Sequence, residues 1–234
     1  MSISFGSVKA VFDDEVVQNG PNIPPVVHGS MRFSEPVIDA IVVLKGFHIE
    51  YPPGRSSAFF RHKVGIDDVK FKGHDVTFKV LCEFGDDQVL ENDAHLGEDP
   101  FTATVFVLVI ADIGSEADRQ KQIRFRTSGV TLDAATTQEK VQSGFVQFVR
   151  PVVWAEAMIQ RFRIEYAEND DEDFFIERVG IQNVTHKDNV VNFETYLTLL
   201  DGPSYDPGSN AQDEIPLRKS YKGSVQVAVI ASLK

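Results

Sequence analysis

The sequence predicts an all-β protein made of two tandem antiparallel β-sandwich domains related by internal duplication. Three observations carry that reading. The first is that the stretch 31–80 recurs without a gap at an offset of 115 residues. Phe33 falls on Phe148, Pro36-Val37 on Pro151-Val152, Phe47, Ile49, Glu50 and Tyr51 on Phe162, Ile164, Glu165 and Tyr166, and Val64-Gly65-Ile66 on Val179-Gly180-Ile181. A later run, VFVLVIA ending at Ala111, recurs as VQVAVIA ending at Ala231, so the second copy carries about five more residues before its last strand. The period is that of a small domain rather than of a solenoid repeat. The second observation is apolar alternation with period two, as in a strand with one buried face. The third is that no long amphipathic helical pattern occurs, while turn residues punctuate the chain every 10–15 residues or so.

Taken in order, residues 3–12 read as a short first strand, and Asn19-Gly20-Pro21 with Pro24-Pro25 as loop. Pro36 precedes an extended run, 37–51, whose first half is apolar on both parities: Val37, Ile41 and Val43 on one, Ile38, Ala40, Val42 and Leu44 on the other. Its second half alternates, with Phe47, Ile49 and Tyr51 on one face and His48 and Glu50 on the other. The first half is therefore expected to be buried on both faces, which needs a cover beyond the facing layer of a sandwich. Strands follow at 58–69 and 76–82, joined by a tight hairpin at Lys72-Gly73-His74-Asp75. An acidic loop, 85–100, leads to a closing strand at 102–111. The second copy repeats these strands near 152–166, 173–184, 190–199 and 223–232, with a long loop at 201–220. Between the copies, GSEADRQKQ reads as linker, QIRFRTSGVTL as the counterpart of the first strand, and DAATTQEKV as one or two helical turns. The domain bounds that follow are 1–112, a connecting stretch 113–145, and 146–234.

Composition narrows the function. A chain of 234 residues with 42% hydrophobic content has room for two small cores. A net charge of −12 argues against nucleic acid or an anionic membrane surface, both of which need clustered Lys and Arg. No run approaches the ~18 apolar residues of a membrane span. The N-terminus shows no basic region followed by an apolar run, which points to a cytoplasmic chain or one exported without a cleaved signal. The single cysteine, Cys82, lies on the core parity of its strand and reads as a buried small hydrophobe.

Catalytic and metal motifs are missing. The six histidines lie in no HExxH or CxxC context, so neither a metal nor a catalytic residue is assigned and no cofactor is expected. His48 and Glu50 read as a surface pair rather than a dyad. The acidic runs 85–99 and 168–173 read as solvated loops, since they lack the spacing of a calcium loop. The Asn183-Val184-Thr185 sequon falls inside a predicted strand and is discounted.

The order of elements, with Arg32-Phe33-x-x-Pro36-Val37, then FFRHKVGIDDVKFKG and VTFKVLCEF, resembles the H-type lectin family of snail agglutinins and discoidins over about 85 residues of each copy. The resemblance implies six-stranded antiparallel sandwiches, trimeric assembly and binding of galactose or N-acetylgalactosamine-type glycans. It puts Arg61 at the family's arginine position, where the second copy has Ile176. Asp13, Asp14 or Asn19 would serve as the loop acceptor, and Tyr196 stands in for an aromatic platform otherwise missing: Leu81-Cys82 and Tyr196-Leu197 occupy the Trp-His positions, and Trp154 lies elsewhere. The ligand-binding set is thus Arg61, Tyr196, Asp13 and Asp14.

Two non-enzymatic readings result. One is a lectin-like carbohydrate-binding protein. The other is a structural protein that uses the duplicated sandwich as an oligomeric building block. The doubly apolar strand starts, with Leu44 equivalent to Ile159 and Val42 to Ala157, suggest a homo-trimer with pseudo-sixfold arrangement. Mutual cover of the two stripes within one chain is the alternative.

Overall fold

A computed structural model of the chain describes residues 2–16, 18–19, 25–50, 58–59, 61–86, 100–115, 123–136, 140–166, 172–201 and 220–234. Among these residues the only regular secondary structure is strand, in several sheets whose pairings are antiparallel apart from the two-residue β2 against β7. The strands of the first half are β1 (Ser2–Val16), β2 (Gln18–Asn19), β3 (Val26–Arg32), β4 (Val37–Glu50), β5 (Ala58–Phe59), β6 (Arg61–Lys72), β7 (Asp75–Asp86) and β8 (Pro100–Ile113). Those of the second are β9 (Ile123–Thr136), β10 (Lys140–Gln147), β11 (Val152–Tyr166), β12 (Glu172–Lys187), β13 (Val190–Asp201) and β14 (Tyr221–Leu233).

The sheet orders are β1-β8-β4, β10-β13-β12-β5 and β2-β7-β6-β11-β14-β9, with β3 also pairing β7. Within residues 2–113, β8 lies between β1 and β4, and β7 between β3 and β6. Within residues 123–233, β14 lies between β9 and β11, and β13 between β10 and β12. Local irregularities keep the sequence offset too. Register shifts at Leu44/Gly46 and Val37/Asp39 have counterparts at Ile159/Arg161 and Val152/Trp154. Asp68 and Asn183, both in the left-handed region, mark shifts in β6 and β12. Phe33 N–H donates to the His74 carbonyl, as Phe148 N–H does to that of Asn189.

The structure differs from the sequence reading in two places. DAATTQEKV is not helical: 133–136 end β9 and 140–141 begin β10, with 137–139 outside the described residues. The stretch 26–32, to which the sequence assigned no element, is β3. Both β3 and β10 pass their glycine under an aromatic ring, Gly29 under Phe78 and Gly144 under Phe193. A glycine opposite an aromatic lets the ring lie flat over the backbone, and that pairing substitutes for the missing apolar alternation. The acidic residues 87–99 and 168–171, and most of the 201–220 loop, fall outside the described residues.

One core collects side chains from all three sheets, among them Phe12, Val107, Phe78, Phe162, Val227 and Phe193. Cys82 is fully buried within it. A second, smaller cluster sits on the other face of β4 and β8. There Ile41, Val43 and Ile110 meet Ala228 and Ile230, with Met158 packed alongside. The second apolar face of β4 is therefore covered from within the chain, by strands β11 and β14.

Candidate interaction site

The halves are joined edge to edge. β6 pairs antiparallel with β11, from Arg161 opposite Gly65 to Glu165 opposite Arg61. Gly65 is needed here, because the Arg161 side chain lies where its Cβ would be. On one face of this seam the alternating side chains are charged. Glu83 accepts from Arg61 and from Lys63 at 3.2 Å, and Glu165 accepts from Arg163 Nε at 2.9 Å and from Lys222 at 3.3 Å. Two nearly buried carboxylates are thus each held by two cations, and the six side chains lie on the four strands β6, β7, β11 and β14. Such pairs hold a register rather than add much stability. On the opposite face, the His62 ring stands edge-on to Phe162 at 5.2 Å and to Phe47 at 5.6 Å. Phe47 and Phe162 are equivalent positions of the repeat, and their rings lie 5.6 Å apart.

Beside this aromatic cluster opens a groove of about 370 Å³. Leu44 and Phe47 of β4 line one side, Val179 and Ile181 of β12 the other, and Ile159 and Phe162 of β11 the floor. Both flanking strands are sheet edges here. β4 ends its sheet, and β12 beyond Asp173 pairs only with β13 among the described residues. Gln160, buried at the β11 register shift, donates to the Val42 carbonyl at 3.2 Å and so ties β11 to β4 just above the groove.

The described residues drawn from the lectin resemblance, Asp13, Arg61 and Tyr196, belong to separate sheets. Asp13 is exposed at the irregularity that ends the main run of β1, and the Asp14 side chain lies outside the described residues. Arg61 is in β6 and ion-paired with Glu83. Tyr196 is in β13, half-buried, with its ring over Gly180. Three different sheets carry them. Comparisons with family models, curated proteins and solved structures all return no match.

The described residues hold no group of three or more His, Cys, Asp or Glu placed to bind a metal ion. No helix among them is long and apolar enough to cross a membrane. Asn183, the sequon residue, uses its amide to donate to Glu194 at 2.7 Å. The groove residues were missed in the sequence because they look like ordinary core. One signal was present: the core-facing parity switches from even at Val42 and Leu44 to odd at Phe47 and Ile49. Only a bulge between them produces that switch, and bulges often stand beside functional sites.

Proposed function

We propose that this chain is an internally duplicated protein, each half an antiparallel β-sandwich, and that it works without catalysis as the building block of a homo-oligomer. The repeated strand pairings and repeated register shifts support the duplication. The observation that carries the assembly role is the outer face of β1 and β8. Phe5 is 64% exposed and Phe106 42%, and Val11 is exposed on the same face. That face continues into the second cluster, where Ile41, Val43 and Ile110 are covered by the other half. An apolar surface half covered inside the chain and half open beside it is the kind that marks a contact with another molecule. Threefold closure, with the six halves around one axis, is the arrangement proposed.

Carbohydrate binding stands second, since Asp13, Arg61 and Tyr196 belong to three different sheets and Arg61 is engaged with Glu83. Light scattering tests the first reading. A trimer of the 26.1 kDa chain is expected near 78 kDa, and Phe5→Ser with Phe106→Ser should dissociate it without lowering the melting temperature much. A mass of one chain at micromolar concentration removes the assembly reading. Binding on a glycan array that galactose-type sugars inhibit and Arg61→Ala abolishes would reverse the order of the two.

A further inference from the structure

We infer that the groove between β4 and β12 is a strand-addition site for a single extended peptide segment of a partner, bound antiparallel to β12 with apolar side chains at alternate positions. The inference rests on the duplication proposed above, because the repeat tells what such an edge accepts. β12 is the second-half equivalent of β6, and the β6 edge is occupied in this chain by residues 161–165 of β11, running antiparallel. That stretch, Arg161-Phe162-Arg163-Ile164-Glu165, turns Phe162 and Ile164 into the core and its charged residues to the opposite face, where Arg163 is exposed and Glu165 is buried among its cations. The β12 edge is built alike: Val64-Gly65-Ile66 of β6 corresponds to Val179-Gly180-Ile181.

The same edge already receives one added strand. Ala58 and Phe59 of β5 pair antiparallel with Asp173 and Glu172, and the groove continues that line along β12. Across the gap the β4 edge faces in, so one inserted strand could hydrogen-bond on both sides. Space selects a single strand. A strand residue fills about 3.3 Å along the chain, about 4.8 Å between neighbours and about 10 Å through the layer, or roughly 160 Å³. The groove volume of about 370 Å³ then takes two to three residues. A folded sheet edge from a second copy brings further strands behind it, which a groove of that volume does not hold. Binding through main-chain bonds at an open edge, with alternate side chains in pockets, is a general mode of peptide capture.

The test uses the full chain and a synthetic peptide with the sequence of residues 160–166, QRFRIEY, which carries the pattern the β6 edge accepts. Fluorescence anisotropy should show saturable binding. Amide exchange should slow at 44–47 and at 178–182 together. Methylating alternate backbone nitrogens of the peptide should weaken binding at least tenfold, a change that leaves the protein untouched. Ile181→Lys should do the same, with an unchanged melt as control. No binding at 1 mM peptide, protection of only one strand, or equal binding of the methylated peptide overturns the inference. Protection of both strands that rises with protein concentration and needs no peptide also overturns it, in favour of a second copy as occupant. A protein that is monomeric by mass yet protects both strands with peptide keeps the inference and loses only the assembly reading.

Discussion

Replacing Ile41 by alanine measures how firmly the two halves are docked. Ile41 is 3% exposed, and its neighbours in the second cluster come from β8 on its own side and from β14 on the other. Truncation removes three carbons. At about 0.8 kcal/mol per buried CH₂ the transfer loss is roughly 2.4 kcal/mol. The cavity left between two sheets adds to it, and buried isoleucine-to-alanine changes cost about 2–5 kcal/mol in all. About 3 kcal/mol is therefore expected. For a chain of this size each kcal/mol lowers the melting temperature by about 2–4 °C, so the shift should be roughly 6–12 °C. Urea unfolding should show a lower midpoint with an unchanged slope, the sign of lost stability rather than altered compactness. Val149→Ala is the control: Val149 is 78% exposed and away from that sheet face, so the change should alter stability by less than about 0.5 kcal/mol. If Ile41→Ala behaves like Val149→Ala, then β4 and β14 do not pack in solution and the second cluster is refuted.

Three other perturbations test separate parts of the structure. Glu83→Gln leaves Arg61 and Lys63 without their shared carboxylate and should cost about 3 kcal/mol, the low end for breaking a buried pair because Lys63 is still partly in water; a loss under 0.5 kcal/mol in denaturant titration contradicts the seam geometry. Gly29→Ala and Gly144→Ala each push a Cβ into an aromatic ring, Phe78 or Phe193, and should destabilise by a similar 1–3 kcal/mol, so that clearly unequal melts count against equivalent roles for β3 and β10. Asp68 has φ +51°, so Asp68→Val should cost about 1–2 kcal/mol in backbone strain while Asp68→Asn keeps the conformation. Hydrogen bonds from Lys70 and then Lys79 hold the Asp68 carboxyl below its ordinary value of 3.8. Its stabilising contribution is therefore present above that value and lost as pH falls through the folded pKa, and Asp68→Asn should flatten the acid limb of a melting-temperature profile below about pH 4.

The local features were legible in the residues. Period-two alternation marked β4, β6, β7 and their later counterparts, because a strand with one buried face must alternate. The Gly73-His74 turn followed from its glycine, which takes φ +61°. Double burial of the start of β4 followed from its having apolar residues on both parities. β3 and β10 were less legible. Each uses a glycine beneath a cross-strand aromatic, and the pattern that stabilises them belongs to β7 and β13 rather than to their own residues.

What the sequence by itself determined is therefore most of the strand content, the recurrence of one residue pattern at an offset of 115, and which faces must be covered. These depend on side-chain chemistry and local periodicity, and both are written along the chain. Only the tertiary structure decided what does the covering. Nothing local tells that β11 would pair with β6, that Ala228 and Ile230 would lie against Ile41 and Val43, or that β4 and β12 would be left facing one another across a groove. Those outcomes depend on which of several equivalent edges meet. Equivalent edges carry nearly the same pattern, so their partners are chosen by global packing and not by the residues of any one strand.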